Sequence, residues 1–145
     1  MGVSKEEYKK MVEKASPNSR IFSNCIKAFF CGGGICLFGQ FLYGMYAGMG
    51  ADRDMSGTLV AVSLVFIAVL LTGIGVYDDI VKFAGAGASV PITGFANAVA
   101  APAIEFKKEG FILGVGAKMF IIAGPVIVYG TLASVLVGVI YYFVR

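Results

Sequence analysis

Charged residues fall along this chain in bursts. None lies between Lys27 and Asp52, between Asp54 and Asp78, between Lys82 and Glu105, or between Lys118 and Arg145. Each gap is over 20 residues. A helix rising ~1.5 Å per residue needs about 20 apolar residues to cross ~30 Å of hydrocarbon. The pattern predicts an all-α polytopic membrane protein with about four hydrophobic helical segments. The expected spans are 27–49, 56–77, 83–104 and 119–144, the third broken or re-entrant, in a transmembrane domain of residues 27–145.

A different pattern precedes them in a basic amphipathic segment, residues 1–26. Ser4-Lys5-Glu6-Glu7 reads as a capping box, in which hydroxyl and carboxylate each accept the other residue's backbone N–H. Tyr8, Met11, Val12 and Ala15 follow at i, i+3, i+4, i+7 and form one apolar stripe. Glu6–Lys10 and Lys9–Glu13 are i,i+4 pairs on the wet side. Ser16-Pro17-Asn18-Ser19 reads as a hinge. This short helix is suited to a membrane surface or to a partner.

The spans differ in texture. The first carries Gly32, Gly33, Gly34, Gly39, Gly44 and Gly48, small residues that let helices approach closely in lipid. Gly44 and Gly48 form a small-xxx-small pair. Gln40 is its strongly polar side chain, suited to an interhelical hydrogen bond or a pore wall. Tyr43 and Tyr46 suit an interface belt. Asp52-Arg53-Asp54 forms a loop, and the second span is dense in Val, Leu and Ile from Leu59 to Leu71. Asp78-Asp79 reads as a helix end in water or as a cation contact. The third stretch holds Gly85, Gly87, Pro91, Gly94 and Pro102 with Ser89, Thr93 and Asn97. Lipid tolerates such irregular backbone only where protein or a water-filled cavity surrounds it, and interrupted apolar segments point to a transport path. Glu105-Phe106-Lys107-Lys108-Glu109 is a charged break. Lys118 interrupts the block that follows, as a snorkelling or a functional cation. Gly124-Pro125 marks a kink, and Tyr141-Tyr142 an interface anchor before Arg145.

Composition narrows the chemistry. Hydrophobic residues make up 58% and charged residues 14% of 145 positions, too few charges to cover a water-soluble surface. There is no His and no Trp, which removes imidazole acid–base catalysis and the common zinc sites. Cys25, Cys31 and Cys36 match no zinc or redox spacing, so no metal site and no cofactor is expected. Gly85-Ala86-Gly87-Ala88-Ser89 lacks the Gly-Lys-Ser/Thr of a phosphate loop. Carboxylates at Asp78, Asp79, Glu105 and Glu109 lack a polar frame, so no enzyme is expected. The net charge of +3 resides in residues 1–27, where six basic residues face three acidic ones. That predicts a cytoplasmic N-terminus; mixed signs argue against nucleic acid. If residues 83–104 span, the C-terminus is inside; if they re-enter, it is outside. Gly34–Gly50 and Gly114–Gly130 share glycines, an aromatic-aliphatic run and a late Tyr, an arrangement open to an inverted repeat.

The block Gly85–Asn97, then Pro102-Ala103-Ile104-Glu105-Phe106-Lys107, Glu109–Phe120 and Ala123–Gly130 resembles the SpoVA membrane family of spore-forming bacteria. The basic N-terminal segment, with Tyr8-Lys9-Lys10 and Asn24-Cys25-Ile26-Lys27-Ala28-Phe29, is also similar to a member. The resemblance implies a multi-pass protein of the spore inner membrane that moves dipicolinic acid, with calcium, in sporulation and germination, one member acting as a tension-gated channel. Implied partners are a sister membrane subunit of the stage V sporulation protein AEB type and the soluble thiolase-like stage V sporulation protein AD, beside the lipid bilayer. A chain of this size implies an oligomer. The alternative is a non-conducting structural subunit that recruits a soluble partner to a pore formed by a sister chain. Combining the resemblance with the residues, the expected pore-lining or gating set is Gln40, Pro91, Thr93, Gly94, Asn97, Glu105, Lys107, Lys108 and Lys118, with Gly44, Gly48, Gly124 and Pro125 for helix packing.

Overall fold

The structure, a computed structural model, describes residues 4–15 and 19–144. The expected hinge at Pro17 and the terminal Arg145 lie outside them, as do the side chains of Lys10 and Glu13 that the two expected ion pairs require. Helix α1 spans Lys5–Ala15, and its capping box forms: Ser4 N donates to Glu7 Oε2 at 3.1 Å and Glu7 N to Ser4 Oγ at 3.2 Å. Tyr8, Met11 and Val12 are exposed.

Helix α2 spans Ile21–Gly48 and α3 spans Arg53–Gly73. The first therefore starts ahead of its expected boundary at Lys27, because a charge at the edge of hydrocarbon does not interrupt backbone hydrogen bonding. Asp52 caps α3 by accepting from Met55 N at 2.8 Å, so the loop carboxylate also satisfies an orphan helix donor. Gly39 lets α3 lie close, 3.5 Å separating a Cβ built there from Leu64 Cδ1. Tyr46 is used inside the chain: its hydroxyl lies 2.7 Å from Ser63 Oγ.

The third stretch is broken, as its composition predicts. Helix α4 (Tyr77–Ala84) buries Tyr77 and Ala84 and exposes Asp78, Asp79 and Lys82. The acidic pair thus opens a helix rather than closing one, at the end where the macrodipole favours negative charge. Gly85 takes a left-handed φ of 56° and turns the chain into the single turn α5 (Ala86–Ser89). Pro91, extended, precedes α6 (Ile92–Glu105). A 3₁₀ turn covers Phe106–Glu109 and a π-helical turn Phe111–Gly116, which leads into α7 (Ala117–Val144). Among the described residues three helices are long and apolar enough to cross a membrane, Ile21–Gly48, Arg53–Gly73 and Phe111–Val144. The last therefore begins before the expected residue 119 and carries Lys118 within it. It also runs through Pro125 without a break.

Helix α6 packs along α3 and along the start of α7, while α5 packs on α2. Ala68, Tyr77 and Ala96 form the buried core, with Val65, Leu71 and Val81 around it. From Val126 to Val144 every side chain of α7 is exposed. An apolar helix of this kind is at home among lipid tails.

Candidate functional site

The broken segment is held by backbone contact. A Cβ at Gly87 would sit 2.7 Å from Ala28 Cα, and one at Gly32 3.3 Å from Gly87 O. No side chain fits at Gly87, so α5 and α2 meet backbone to backbone, as small residues allow in membrane helices. Tyr77 locks the seam from the other side. Its buried hydroxyl donates to Ala88 O at 2.9 Å, pairing a carbonyl that a one-turn helix leaves open. Neither contact follows from spacing along the chain. The signal for it is the Gly-Ala-Gly-Ala-Ser run itself, too small to bury anything by its own side chains.

Helix α6 lines a groove of about 360 Å³ with Gly94, Asn97, Ala98, Pro102 and Glu105, closed by Val81 of α4 and Ile122 of α7. Asn97 is half-buried, and its Oδ1 lies 2.8 Å from Thr72 Oγ1 of α3. Thr72 Oγ1 is also 2.7 Å from Ala68 O. Pro102 has no N–H, so the Ala98 carbonyl loses its i+4 partner in the wall of this groove. Glu105 is exposed at its end. The groove is therefore lined by an amide and a carboxylate, beside a proline that cannot donate to the carbonyl four residues before it.

Thr93, one turn before Asn97, lies outside this groove. It lies in the wall of a second cavity, about 370 Å³, between α2 and α3. Thr93 is 6% exposed and its Oγ1 has no hydrogen-bond partner.

Gln40 is placed elsewhere. It is exposed beside the α2–α3 turn with Tyr43, Arg53 and Asp54, while Asn97 meets the opposite end of α3. The expected shared lining of Gln40 and the 91–97 region does not form within one chain. Gly44, Gly48 and Gly124 would meet nothing within 4 Å if given a Cβ, and Pro125 is exposed; the positions where a Cβ would crowd its surroundings include Gly32, Gly87, Gly94 and Gly114 instead. Pro91 is half-buried at the start of α6.

Three lysines gather where α6 turns into α7. Lys107 and Lys108 are exposed in the 3₁₀ turn. Lys118 is half-buried with Nζ 4.5 Å from the centre of the Phe106 ring, a cation–π contact that satisfies a charge inside an apolar helix. Lys27 makes the like contact with Phe83 at 4.8 Å. Outside the long helices, Asp79 bonds Lys82 at 3.0 Å and raises its amine pKa above the ordinary value. Among the described residues no group of three metal-ligating side chains occurs.

Comparison with known proteins is specific. The model of the SpoVAC/SpoVAEB sporulation membrane proteins matches residues 24–140. The chain is 46% identical over 139 residues to "Stage V sporulation protein AC" of Bacillus subtilis (strain 168), covering 95% of this chain and 93% of that one. No solved structure matches.

Proposed function

Because the chain belongs to the SpoVAC/SpoVAEB family of sporulation membrane proteins, we propose that it is a channel subunit for dipicolinic acid, with calcium, across the spore inner membrane in sporulation and germination, and that bilayer tension gates it. The observation that carries the reading is the α6 groove. It places Asn97, Ala98 and Glu105 along a broken helix, in a segment type that lipid alone cannot surround. A bare dianion pays tens of kcal/mol to enter hydrocarbon. The groove's acceptors suit the calcium of the pair, and Lys107, Lys108 and Lys118 supply positive potential for the carboxylates.

One chain walls the groove on part of its circumference only. The reading therefore requires a second chain, a sister subunit of the stage V sporulation protein AEB type or another copy, with the soluble thiolase-like stage V sporulation protein AD on a membrane face. The basic segment keeps the N-terminus in the cytoplasm, and three crossings put the C-terminus on the far side. Tension opens the path if glycine-bearing helices slide as the bilayer thins, so Gly44→Leu with Gly48→Leu shifts the opening threshold in patch recordings.

Dipicolinate efflux tests the assignment. Asn97→Leu and Lys118→Ala each slow release, and wild-type rates from both would sink it. Reconstitution separates the second reading, a non-conducting structural subunit, which the half-walled groove favours. Conductance that needs this chain, alone or with the sister chain, supports the channel; conductance of the sister chain that persists undiminished without this one supports the scaffold.

A further inference from the structure

The cavity between α2 and α3 has a construction that the channel reading leaves unused. Its walls are almost wholly apolar: Ile35 and Phe38 from α2, Leu64, Ile67 and Leu71 from α3. At about 370 Å³ it lies within the size range of small-ligand sites, ~300–1,000 Å³. Tyr77, Ile80 and Thr93 line it as well. These three come from α4 and the start of α6, beside the end of α3 where Asp78, Asp79 and Lys82 are exposed. The cavity is thus greasy along two membrane-crossing helices and ends against α4, the helix that carries the exposed Asp78, Asp79 and Lys82.

Two features at that end ask for a ligand. The first is Thr93, whose Oγ1 is the one buried side-chain nitrogen or oxygen without a hydrogen-bond partner among the described residues. A buried hydroxyl left unpaired forfeits its hydrogen bonds to water without return, and such an exception calls for an explanation. The second is Lys27. It stands one turn ahead of Cys31 in the series Lys27, Cys31, Gly34, Ile35, Phe38, spaced i, i+4, i+7, i+8, i+11 on one face of α2. Four of these residues line the cavity, and Lys27, just beyond them, continues their face by one turn toward α4. It is half-buried, with its ammonium over the Phe83 ring.

From tail slot, orphan hydroxyl and cation in that order, we propose that this cavity is a binding site for one glycerophospholipid. An acyl chain lies between α2 and α3, its ester carbonyl accepts the Thr93 proton, and its phosphate meets Lys27. Dipicolinate does not suit the site, because a compact dianion has nothing to bond with along Ile35, Phe38, Leu64 and Ile67. A lipid held here is independent of what the chain conducts.

The test uses the full chain in nanodiscs of ester-linked or ether-linked phosphatidylglycerol with matched chain lengths. The ether lipid keeps the tail and the phosphate and lacks the carbonyl. Wild type unfolds a few degrees higher in ester than in ether discs, and native mass spectrometry finds one ester lipid retained through mild delipidation. Thr93→Ser keeps both properties and Thr93→Val loses both; Lys27→Gln lowers retention several-fold. Equal behaviour of wild type in the two lipids overturns the proposal, and that comparison stands even if the Val variant fails to fold. A Thr93→Val variant that keeps the ester preference, or is more stable than wild type in both discs, overturns it too, since removing a merely orphaned hydroxyl is neutral or stabilising.

Discussion

Residues 126–144 of α7 and residues 86–101 both lack charge, yet they answer to different neighbours. The first run is rich in Val, Ile, Leu, Tyr and Phe, and every one of its residues is exposed. Most of the second is Ala, Gly, Ser and Thr, and most of it is buried or half-buried. Large side chains sheathe the α7 backbone and leave contact with lipid to the methyl groups. The small residues of the second run bring backbone against backbone, at Gly87 and Ala28, and leave polar atoms to be settled one at a time by Tyr77 and Thr72. Apolarity says that a segment sits in the membrane; side-chain size says whether lipid or protein surrounds it.

The sharpest way to break this contrast is to put the same residue into both runs. Gly87→Leu drives a side chain into the Ala28 backbone and is expected to cost about 3 kcal/mol or more, read as loss of a monodisperse species in detergent. Gly138→Leu in α7, where a Cβ meets nothing within 4 Å, leaves thermal unfolding of the single chain unchanged. Tyr77→Phe comes next. It abandons the Ala88 carbonyl in a buried site and lowers stability by about 1–3 kcal/mol, measured by thermal unfolding. Lys118→Met removes the contact with Phe106, worth about 0.5–2 kcal/mol, and is smaller in stability than in efflux. Smallest is Lys82→Met. The Asp79 bond raises the Lys82 pKa, so its contribution is present below the amine's ordinary pKa and lost as pH rises through the raised one. Both side chains are exposed and screened by water, and neither the substitution nor that titration moves the unfolding temperature measurably.

The same contrast explains what could be read from the residues alone. Long charge gaps betray membrane helices because lipid punishes every unpaired charge, and prolines and glycines betray the broken third stretch because they remove donors and side chains. Where helices stop is harder: α2 runs out to Ile21 and the last helix takes in Lys118, since a lysine can extend to water or lie on an aromatic ring without disturbing the backbone. Hardest is which polar residues share a wall. Gln40 and Asn97 have similar chemistry, and linear spacing sets the face of each within its own helix but not the rotation of one helix about another. Thr93 and Asn97, four residues apart, lie one turn from each other on α6, yet they line different cavities, because the neighbouring helices change along its length. Tyr77 is masked by Asp78-Asp79, whose charges point to water while the neighbouring ring is buried.

The geometry at Thr72 has an outcome that follows from counting protons. One hydroxyl hydrogen cannot serve both the Ala68 carbonyl and an amide oxygen, though these lie 2.7 and 2.8 Å from Thr72 Oγ1. The backbone oxygen cannot change its nature; an amide can rotate half a turn and offer nitrogen in place of oxygen. The consistent assignment has Asn97 giving a hydrogen to the threonine and turning its oxygen away from α3. What packs beside Asn97 then meets a lone pair rather than an N–H, so that side of the residue welcomes a hydrogen-bond donor more readily than an anion.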